Sequence, residues 1–409
     1  MIKQAQNSLN NKKFKSNTFL SYFFPFFMIL AQYPIFSTFT VGILIIMAYT
    51  IVYYSTVSKK IYVHKYLLYL TLYITLMEIF DMLRGGFVRD GQINSIIMMY
   101  IWLFIISVSS SIIDMKKMYK VFSVIGIVSI GVIIYQSIFI YGFHQPMKPI
   151  PILPIPSSHS FVWESAMRPS GFFTEPAAYV SYILPLLFLT IYYKKYLFSG
   201  LIIFSILLSG SSSGIIFLAI YAFYSTFFLI KKLYKKIILI IGFILATYLF
   251  FTVGIFDSAI KKIATTDFEH QIRVTKGFLV YYDMSLSEKL FGIVGSLGHY
   301  ILSHIENFPW ANIYIINDKV RLLDYITSFS GEMVKSGIFA ALLYIMIFYK
   351  MFKYDNKEFK GMLLLIIIST FISSFAYNAW FAYSYIIYFV MINPKVNKNF
   401  IILKFGDKK

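Results

Sequence analysis

Arg168 and Glu175 are the two side chains whose types and spacing most directly indicate chemistry. They lie in the segment Arg168-Pro-Ser-Gly-Phe-Phe-Thr-Glu175-Pro176, which is short, polar and bordered on both sides by long apolar runs. A guanidinium forms paired hydrogen bonds to phosphate oxygens, and a carboxylate can orient a hydroxyl group or accept its proton. Two prolines and a glycine restrict the backbone around them. We expect this segment to bind an anionic group at the end of a membrane helix.

Structural roles would also account for these two residues. Arg168 could pair with Glu175 across the loop, or with Glu164, four positions earlier on one helical face. Glu175 also precedes an apolar helix that begins at Ala177, where backbone N–H groups favour negative charge. Ion pairing and site chemistry both remain open from the sequence.

A second set of polar residues follows between residues 257 and 331. Arg273 and Lys276 are three positions apart and could share one face of a helix. The turn Phe291-Gly-Ile-Val-Gly-Ser-Leu-Gly298 precedes His299, and glycines let a backbone approach a ligand closely. Arg321 lies further along. These residues are candidate ligands for an anion or a sugar, and solvated helix charges are the alternative interpretation.

Composition places these residues in an integral membrane protein. The chain has 409 residues, of which 58% are hydrophobic and 13% charged, and its mean hydropathy is +0.71. Soluble domains carry about 25% charged residues. There is no cysteine, so disulfides, thiolate nucleophiles and cysteine metal ligands are excluded. The histidines are scattered, and we expect no metal site.

Apolar runs long enough to cross a bilayer recur along the whole chain. We predict an all-α polytopic membrane protein, a single membrane domain over residues 1–409 with about twelve transmembrane helices. The predicted spans are 18–32, 39–54, 66–82, 93–112, 121–141, 177–193, 197–208, 215–230, 237–256, 332–349, 362–375 and 380–392.

The basic residues predict an orientation. Most of the 37 lysines and arginines form small lysine clusters between alternate spans, which by the positive-inside rule places both termini in the cytoplasm. Two large loops, 142–176 and 257–331, then face outward. The arginines all fall on the outward side, against this rule, as an outward-facing phosphate site would require. The formal charge of +19 therefore reflects topology and does not predict a nucleic-acid partner.

Two further patterns have alternative interpretations. Gly210-Ser-Ser-Ser-Gly214 matches G-x-S-x-G, but it joins two apolar helices instead of a strand and a helix. We expect a tight polar hairpin there, not a hydrolase nucleophile. Glu78 and Asp81 lie near the outer end of the third span, where they could pair with a loop arginine, relay protons or lie at the membrane interface.

The segment 168–176 resembles the Arg-x-x-Gly-x-x-x-Glu-Pro signature of bacterial O-antigen and capsule repeat-unit polymerases (Wzy). Leu208-Ser-Gly-Ser-Ser-Ser-Gly214 resembles the serine-rich helix junction of that family. Arg273 with the element 290–295, and the start of the next helix at Gly331-Glu332, resemble the elements that follow. Lys335-Ser336 interrupts the last of these. The resemblance covers about residues 160–350, and the related O-antigen ligases share the plan.

This resemblance implies a GT-C-like membrane glycosyltransferase in the bacterial cytoplasmic (inner) membrane. It would polymerise undecaprenyl-diphosphate-linked oligosaccharide repeat units at the outer face, without a metal or another cofactor. The implied catalytic residues are Arg168 and Arg273, which would hold the diphosphate, and Glu175, which would orient the acceptor or act as base. The implied substrate-binding residues are Arg168, Arg273, Lys276, Arg321, His299 and Trp163, whose indole could stack on a sugar or lie at the membrane interface.

Two other functions stay open. A ligase would use the same chemistry to move a finished glycan to a different acceptor. A flippase or transporter of lipid-linked sugars would show internal repeats and charges deep in several spans, and the sequence shows neither. The implied partners are the lipid-linked substrates, the bilayer, a chain-length regulator and a flippase, with no nucleic acid.

Overall fold

The computed structural model describes residues 18–36, 39–56, 60–85, 92–154, 167–234, 268–316, 323–354 and 359–404, with isolated positions between 236 and 252. The helices of this part of the chain are α1 (Thr18–Phe23), α2 (Phe27–Leu30), α3 (Val41–Thr56), α4 (Lys65–Gly85), α5 (Gln92–Ile112), α6 (Met115–Ser137), α7 (Pro176–Tyr192), α8 (Tyr196–Leu208), α9 (Ser212–Tyr224), α10 (Phe268–Asp283), α11 (Leu286–Phe291), α12 (Leu297–Ser303), α13 (Asn312–Ile316), α14 (Ser328–Ser336), α15 (Ile338–Tyr354), α16 (Lys360–Ile372) and α17 (Ala379–Ile392).

Short turns and two small sheets complete the described structure. α6 and α9 continue as π turns, and 3₁₀ turns lie at Phe24–Phe26, Ile305–Asn307 and Pro309–Ala311. The strands are β1 (Pro34–Phe36), β2 (Phe39–Thr40), β3 (Lys60–His64) and β4 (Phe400–Lys404), paired β1 with β2 and β3 with β4, both antiparallel. The predicted helical class is therefore confirmed for the described residues, with little sheet.

Among the described residues, three helices are long and apolar enough to cross a membrane: α4, α5, and α6 with its π turn, Met115–Gly142. The other apolar helices are shorter. α8 has 13 residues and is about 20 Å long, against about 30 Å for the hydrocarbon core of a bilayer. The structure thus supports membrane-crossing helices, whereas twelve crossings stay a prediction. The ninth predicted span, 237–256, lies largely outside the described residues.

Two predicted spans are divided. The first is interrupted by the 3₁₀ turn Phe24–Phe26, because Pro25 cannot donate to the helical hydrogen-bond ladder. The tenth is divided at Gly337, whose φ of +76° ends α14 and separates it from α15. Glu332 therefore lies in a short helix before the apolar α15 and not at the start of it.

The lysine-rich segments meet at one end of the helical bundle, here called the lysine end. Strand β3, which precedes α4, pairs with β4, which follows α17. The ring of Tyr119 near the start of α6 stacks on Tyr193 just after α7, with ring centroids 4.3 Å apart. These two contacts bring parts of the predicted lysine-rich segments together, whereas the side of the membrane on which they lie stays a prediction.

The opposite end, here called the loop end, carries the described residues 142–154, 167–176, 268–316 and 323–336. The described part of the second predicted loop forms a small helical unit with its own hydrophobic core, which includes Val280, Leu297 and Ile301. Its helices begin at polar caps. Ser285 and Glu288 form a reciprocal capping box at α11, and Ser296 caps α12. This unit packs on the bundle through α14 and α15.

The main core lies around α7 and α17, where large aromatic residues are fully buried. The rings of Tyr182 and Tyr383 stack with centroids 6.0 Å apart. The Tyr383 hydroxyl donates to the carbonyl of Tyr182, and the Tyr182 hydroxyl donates to the carbonyl of Pro25. Buried phenols need such partners, so these bonds fix how α7, α17 and the first apolar segment pack together.

Candidate functional site

A buried glutamine of α6 holds the segment that carries Arg168. The side-chain oxygen of Gln136 accepts hydrogen bonds from the backbone N–H groups of Ser170, at 3.0 Å, and Gly171, at 2.8 Å. Its side-chain nitrogen donates to the carbonyl of Lys148, at 3.0 Å. Gly171 has a φ of +67°, a conformation that glycine adopts without strain.

A second glutamine holds the other half of this segment. Gln32, just after α2, accepts a hydrogen bond from the backbone N–H of Thr174 at 3.0 Å. It donates to the carbonyl of Phe172 at 3.1 Å. Gln32 and Gln136 are both buried. Neither glutamine was predicted to have this role. An amide inside an apolar run does indicate a specific hydrogen-bonding role, because buried polar groups require partners.

Glu175 opens into a cavity of about 320 Å³ at the loop end, here called the first cavity. Glu175 is exposed, its backbone is extended, and its side chain does not cap α7. The polar and aromatic lining includes Gln32, Thr174, Ser181, Asn378 and Trp380. The carboxylate therefore faces hydroxyl and amide groups and an indole, a lining suited to a hydroxylated ligand.

Arg168 lies elsewhere on the same segment. It is half-buried and interacts electrostatically with Tyr141, whose hydroxyl donates to the carbonyl of Leu208 at 3.1 Å. The described lining of the first cavity contains no arginine or lysine. Within the described residues Arg168 and Glu175 form no ion pair with each other, so the pairing that the sequence left open is absent there.

The other predicted arginines are not placed beside Arg168 by the described structure. Arg273 lies on α10, and its side chain is outside the described residues, as are Arg321, Trp163 and Glu164. The predicted diphosphate clasp of Arg168 with Arg273 therefore stays a prediction.

Lys276 and His299 have local surroundings that the sequence did not indicate. Lys276 is 1% exposed, and its ammonium donates to the carbonyls of Leu323 and Tyr325, at 3.4 and 3.3 Å. It therefore holds the segment that reaches the first cavity through Tyr325. His299 is exposed on α12, and its backbone N–H donates to the hydroxyl of Ser296.

The glycine-rich turn contacts side chains at the C-terminal end of α4. Asp81 accepts a hydrogen bond from the backbone N–H of Gly295 at 3.2 Å. Arg84 donates to the carbonyl of Gly292, also at 3.2 Å. Asp81 and Arg84, both on α4, therefore hold the loop-end unit against this helix.

Gly292 and Gly337 also let two backbones meet. A side chain at Gly292, where φ is +80°, would overlap the carbonyl of Lys335, and one at Gly337 would overlap the carbonyl of Leu290. The close approach predicted for the glycine-rich turn occurs at Gly292, but toward the protein's own backbone.

A second cavity of about 230 Å³ adjoins the first, and both are lined by Ser374. Its lining includes Glu78, Thr327, Glu332, Lys335 and Tyr377. Burial raises the pKa of Glu332 to about 7, the Lys335 charge acts against this shift, and the Glu78 carboxylate adds to it. The sequence analysis treated Glu332 only as part of a helix-start motif and did not predict this cavity.

The Gly-Ser-Ser-Ser-Gly hairpin is structural in its described contacts. The Ser211 hydroxyl caps α9 and shares a 3.0 Å hydrogen bond with Ser213. Gly214 lies against Val180 and Ile206, where a larger residue would collide. The expected tight polar hairpin is thus observed.

Comparisons of the chain with protein-family models, with curated proteins and with solved structures found no match.

Proposed function

We propose that this protein is a metal-independent membrane glycosyltransferase that polymerises undecaprenyl-diphosphate-linked oligosaccharide repeat units. The loop end would face outward from the bacterial cytoplasmic membrane, with about twelve crossings and both termini in the cytoplasm. One observation carries the proposal: the Glu175 carboxylate opens into a cavity of amide, hydroxyl and indole groups. The resemblance of segment 168–176 to repeat-unit polymerases supports it independently of the cavity.

The cavity lining favours a glycan over a simple anion. Hydroxyl and amide groups can each donate and accept hydrogen bonds, as sugar hydroxyls do, and the Trp380 ring offers an apolar face. In the proposed reaction a sugar hydroxyl of one repeat unit attacks the anomeric carbon of the glycan on a second lipid carrier. The new carbon–oxygen bond forms as the bond to the diphosphate breaks, and the diphosphate leaves with the electron pair.

Each proposed residue has one role in this reaction. Glu175 accepts a hydrogen bond from a sugar hydroxyl in the first cavity. Arg168 and Arg273 hold the diphosphate and stabilise the charge that it gains as it leaves. The clamps from Gln32 and Gln136 fix the segment that carries Arg168 and Glu175, which limits the motion of both groups.

The test uses purified protein in liposomes with lipid-linked repeat units extracted from a strain that lacks this gene. We expect a ladder of products on a gel. Glu175→Ala and Arg168→Ala should each abolish the ladder, and Arg168→Lys should not restore it, because an ammonium lacks the planar fork of a guanidinium. Glu306→Gln, a change at an exposed carboxylate, should leave the ladder unchanged.

Other products would overturn the assignment. A single transfer to a different lipid acceptor would indicate a ligase, and movement of the lipid across the bilayer without a new bond would indicate a flippase. Normal chain lengths with Arg168→Ala would remove Arg168 from the site.

A further inference from the structure

Glu332 is the carboxylate at the centre of the second cavity. It is half-buried on α14 and accepts a hydrogen bond of 3.4 Å from the hydroxyl of Ser336. Three phenols, those of Tyr73, Tyr344 and Tyr377, interact with it electrostatically. It is thus held in a cluster of hydroxyl groups where α4, α14, α15 and the segment before α17 meet.

One of these three phenol hydroxyls has no hydrogen-bond partner among the described residues. The Tyr73 hydroxyl donates to the carbonyl of Ser336 at 2.9 Å, and the Tyr377 hydroxyl is hydrogen-bonded to Thr71 at 2.9 Å. The Tyr344 hydroxyl is buried and has no hydrogen-bond partner within the described structure. A buried hydroxyl without a partner is costly, so this group indicates that a hydrogen-bonding ligand or water completes the cluster.

The charged groups around Glu332 leave its carboxylate facing the cavity. Lys335 lies on the same helix, and Glu78 of α4 lines the same cavity. The Glu78 carboxylate accepts a 2.6 Å hydrogen bond from Gln92. On α10, which packs against α14, Lys276 is directed to the carbonyls of Leu323 and Tyr325. On α11, Glu288 is engaged in its capping box.

The two cavities adjoin at Ser374, beside a hydrogen-bonded turn. The Ser328 hydroxyl accepts hydrogen bonds from the backbone N–H groups of Phe375, at 2.6 Å, and Ala376, at 2.7 Å. Ser374 lines both cavities. A volume of about 230 Å³ is far larger than the roughly 30 Å³ of one water molecule, so the second cavity has room for more than one water or an ion.

We propose that the second cavity binds the hydroxyl-bearing end of the acceptor glycan and that Glu332 accepts the proton of the attacking hydroxyl. This inference rests on the proposed function and adds the general base to it. The donor glycan occupies the first cavity, and its anomeric carbon meets the acceptor near Ser374. As the carbon–oxygen bond forms, the hydroxyl proton moves to the Glu332 carboxylate, and the diphosphate leaves with the electron pair of the broken bond.

The electrostatics of the second cavity suit this role. A general base works best when its pKa lies near the working pH, and burial raises the pKa of Glu332 to about 7.

The experiment measures kcat and KM for polymer formation with the extracted lipid-linked repeat units, between pH 5.5 and 8.5. Glu332→Gln keeps the shape of the side chain and removes the base, so kcat should fall by about 10²–10⁴-fold with KM nearly unchanged. The wild-type kcat should fall as pH drops below about 7. The residual kcat of Glu332→Gln should not show this decrease. Tyr344→Phe should raise KM or shift the pH at which kcat decreases.

Folding is checked by thermal unfolding of each variant, with Glu332→Asp as a second substitution that retains a carboxylate and should keep part of the rate. Glu306→Gln is the matched control. A folded Glu332→Gln protein with kcat within threefold of wild type overturns the base assignment alone. A wild-type protein that makes no polymer overturns the proposed function, and the base assignment with it.

Discussion

The side-chain oxygen of Gln136 accepts a 2.8 Å hydrogen bond from the backbone N–H of Gly171, so a buried residue of α6 fixes the turn after Arg168. Gln136→Ala would leave the N–H groups of Ser170 and Gly171 without this partner. We expect a loss of about 1–3 kcal/mol in the free energy of unfolding and a large drop in polymer formation. Thermal unfolding in detergent and the ladder assay measure the two effects.

Gln145→Ala is the control for this change, because Gln145 is exposed just beyond α6. It should alter neither property. Equal stability of the two variants would show that the glutamine clamp does not hold the segment.

Gly292→Ala should destabilise the protein more than Gly295→Ala. Both glycines have positive φ, +80° and +90°, so alanine is strained at either position. Only at Gly292 would the added methyl group also overlap the carbonyl of Lys335, whereas Gly295 has open space. Thermal midpoints of the two variants measured side by side test this ranking. The reverse order would contradict the described packing of α14 on the turn.

Glu332 should make the protein less stable as the pH rises. Its pKa in the folded protein is about 7, against an ordinary value of 4.5. Between these values the unfolded chain releases the proton while the folded protein retains it, so stability falls as pH rises from about 4.5 to 7 and then levels off. Glu332→Gln removes this dependence. Its thermal midpoint should exceed that of the wild type at pH 8 and approach it at pH 4.5.

This measurement needs no substrate. The thermal midpoints of variant and wild type could differ by the same amount at both pH values. That result would show that burial does not favour the protonated form of the Glu332 carboxylate.

The absence of cysteine makes the orientation of the membrane helices directly testable. Ser287→Cys places a thiol on the exposed surface of the loop-end unit, and Val396→Cys places one at the lysine end, where Val396 is 77% exposed. In intact cells a membrane-impermeant maleimide should label the first variant, and should label the second only after permeabilisation. The opposite pattern would place Glu175 and Arg168 on the cytosolic side and end the proposal.

The periodic features of the fold were predictable from the sequence. Apolar runs located α4, α5 and α6 to within a few residues, because a membrane helix must be apolar along most of its length. Lysine clusters anticipated which helix ends meet. The break at Gly337 was missed because a single glycine inside an apolar run does not reveal its φ.

The site was predictable only in part. The motif around Arg168 and Glu175 indicated a fixed turn, since two prolines and a glycine lie between apolar runs, and the structure has this turn beside the first cavity. Contacts between residues that are far apart in the sequence gave no such signal. Glu332 meets Glu78 and Tyr344 only through tertiary packing, and Lys276 is held by carbonyls almost fifty positions away.

The strand pair at the lysine end constrains how the chain is made. Residues Lys60–His64 leave the ribosome early, but their partners, Phe400–Lys404, emerge only after the membrane helices between them have been inserted. Until then the early strand has open hydrogen-bonding edges that other chains could occupy. Closure of this strand pair is therefore a late event in biogenesis, and a peptide tag fused near Lys404 would interfere with maturation before it affected any chemistry at the loop end.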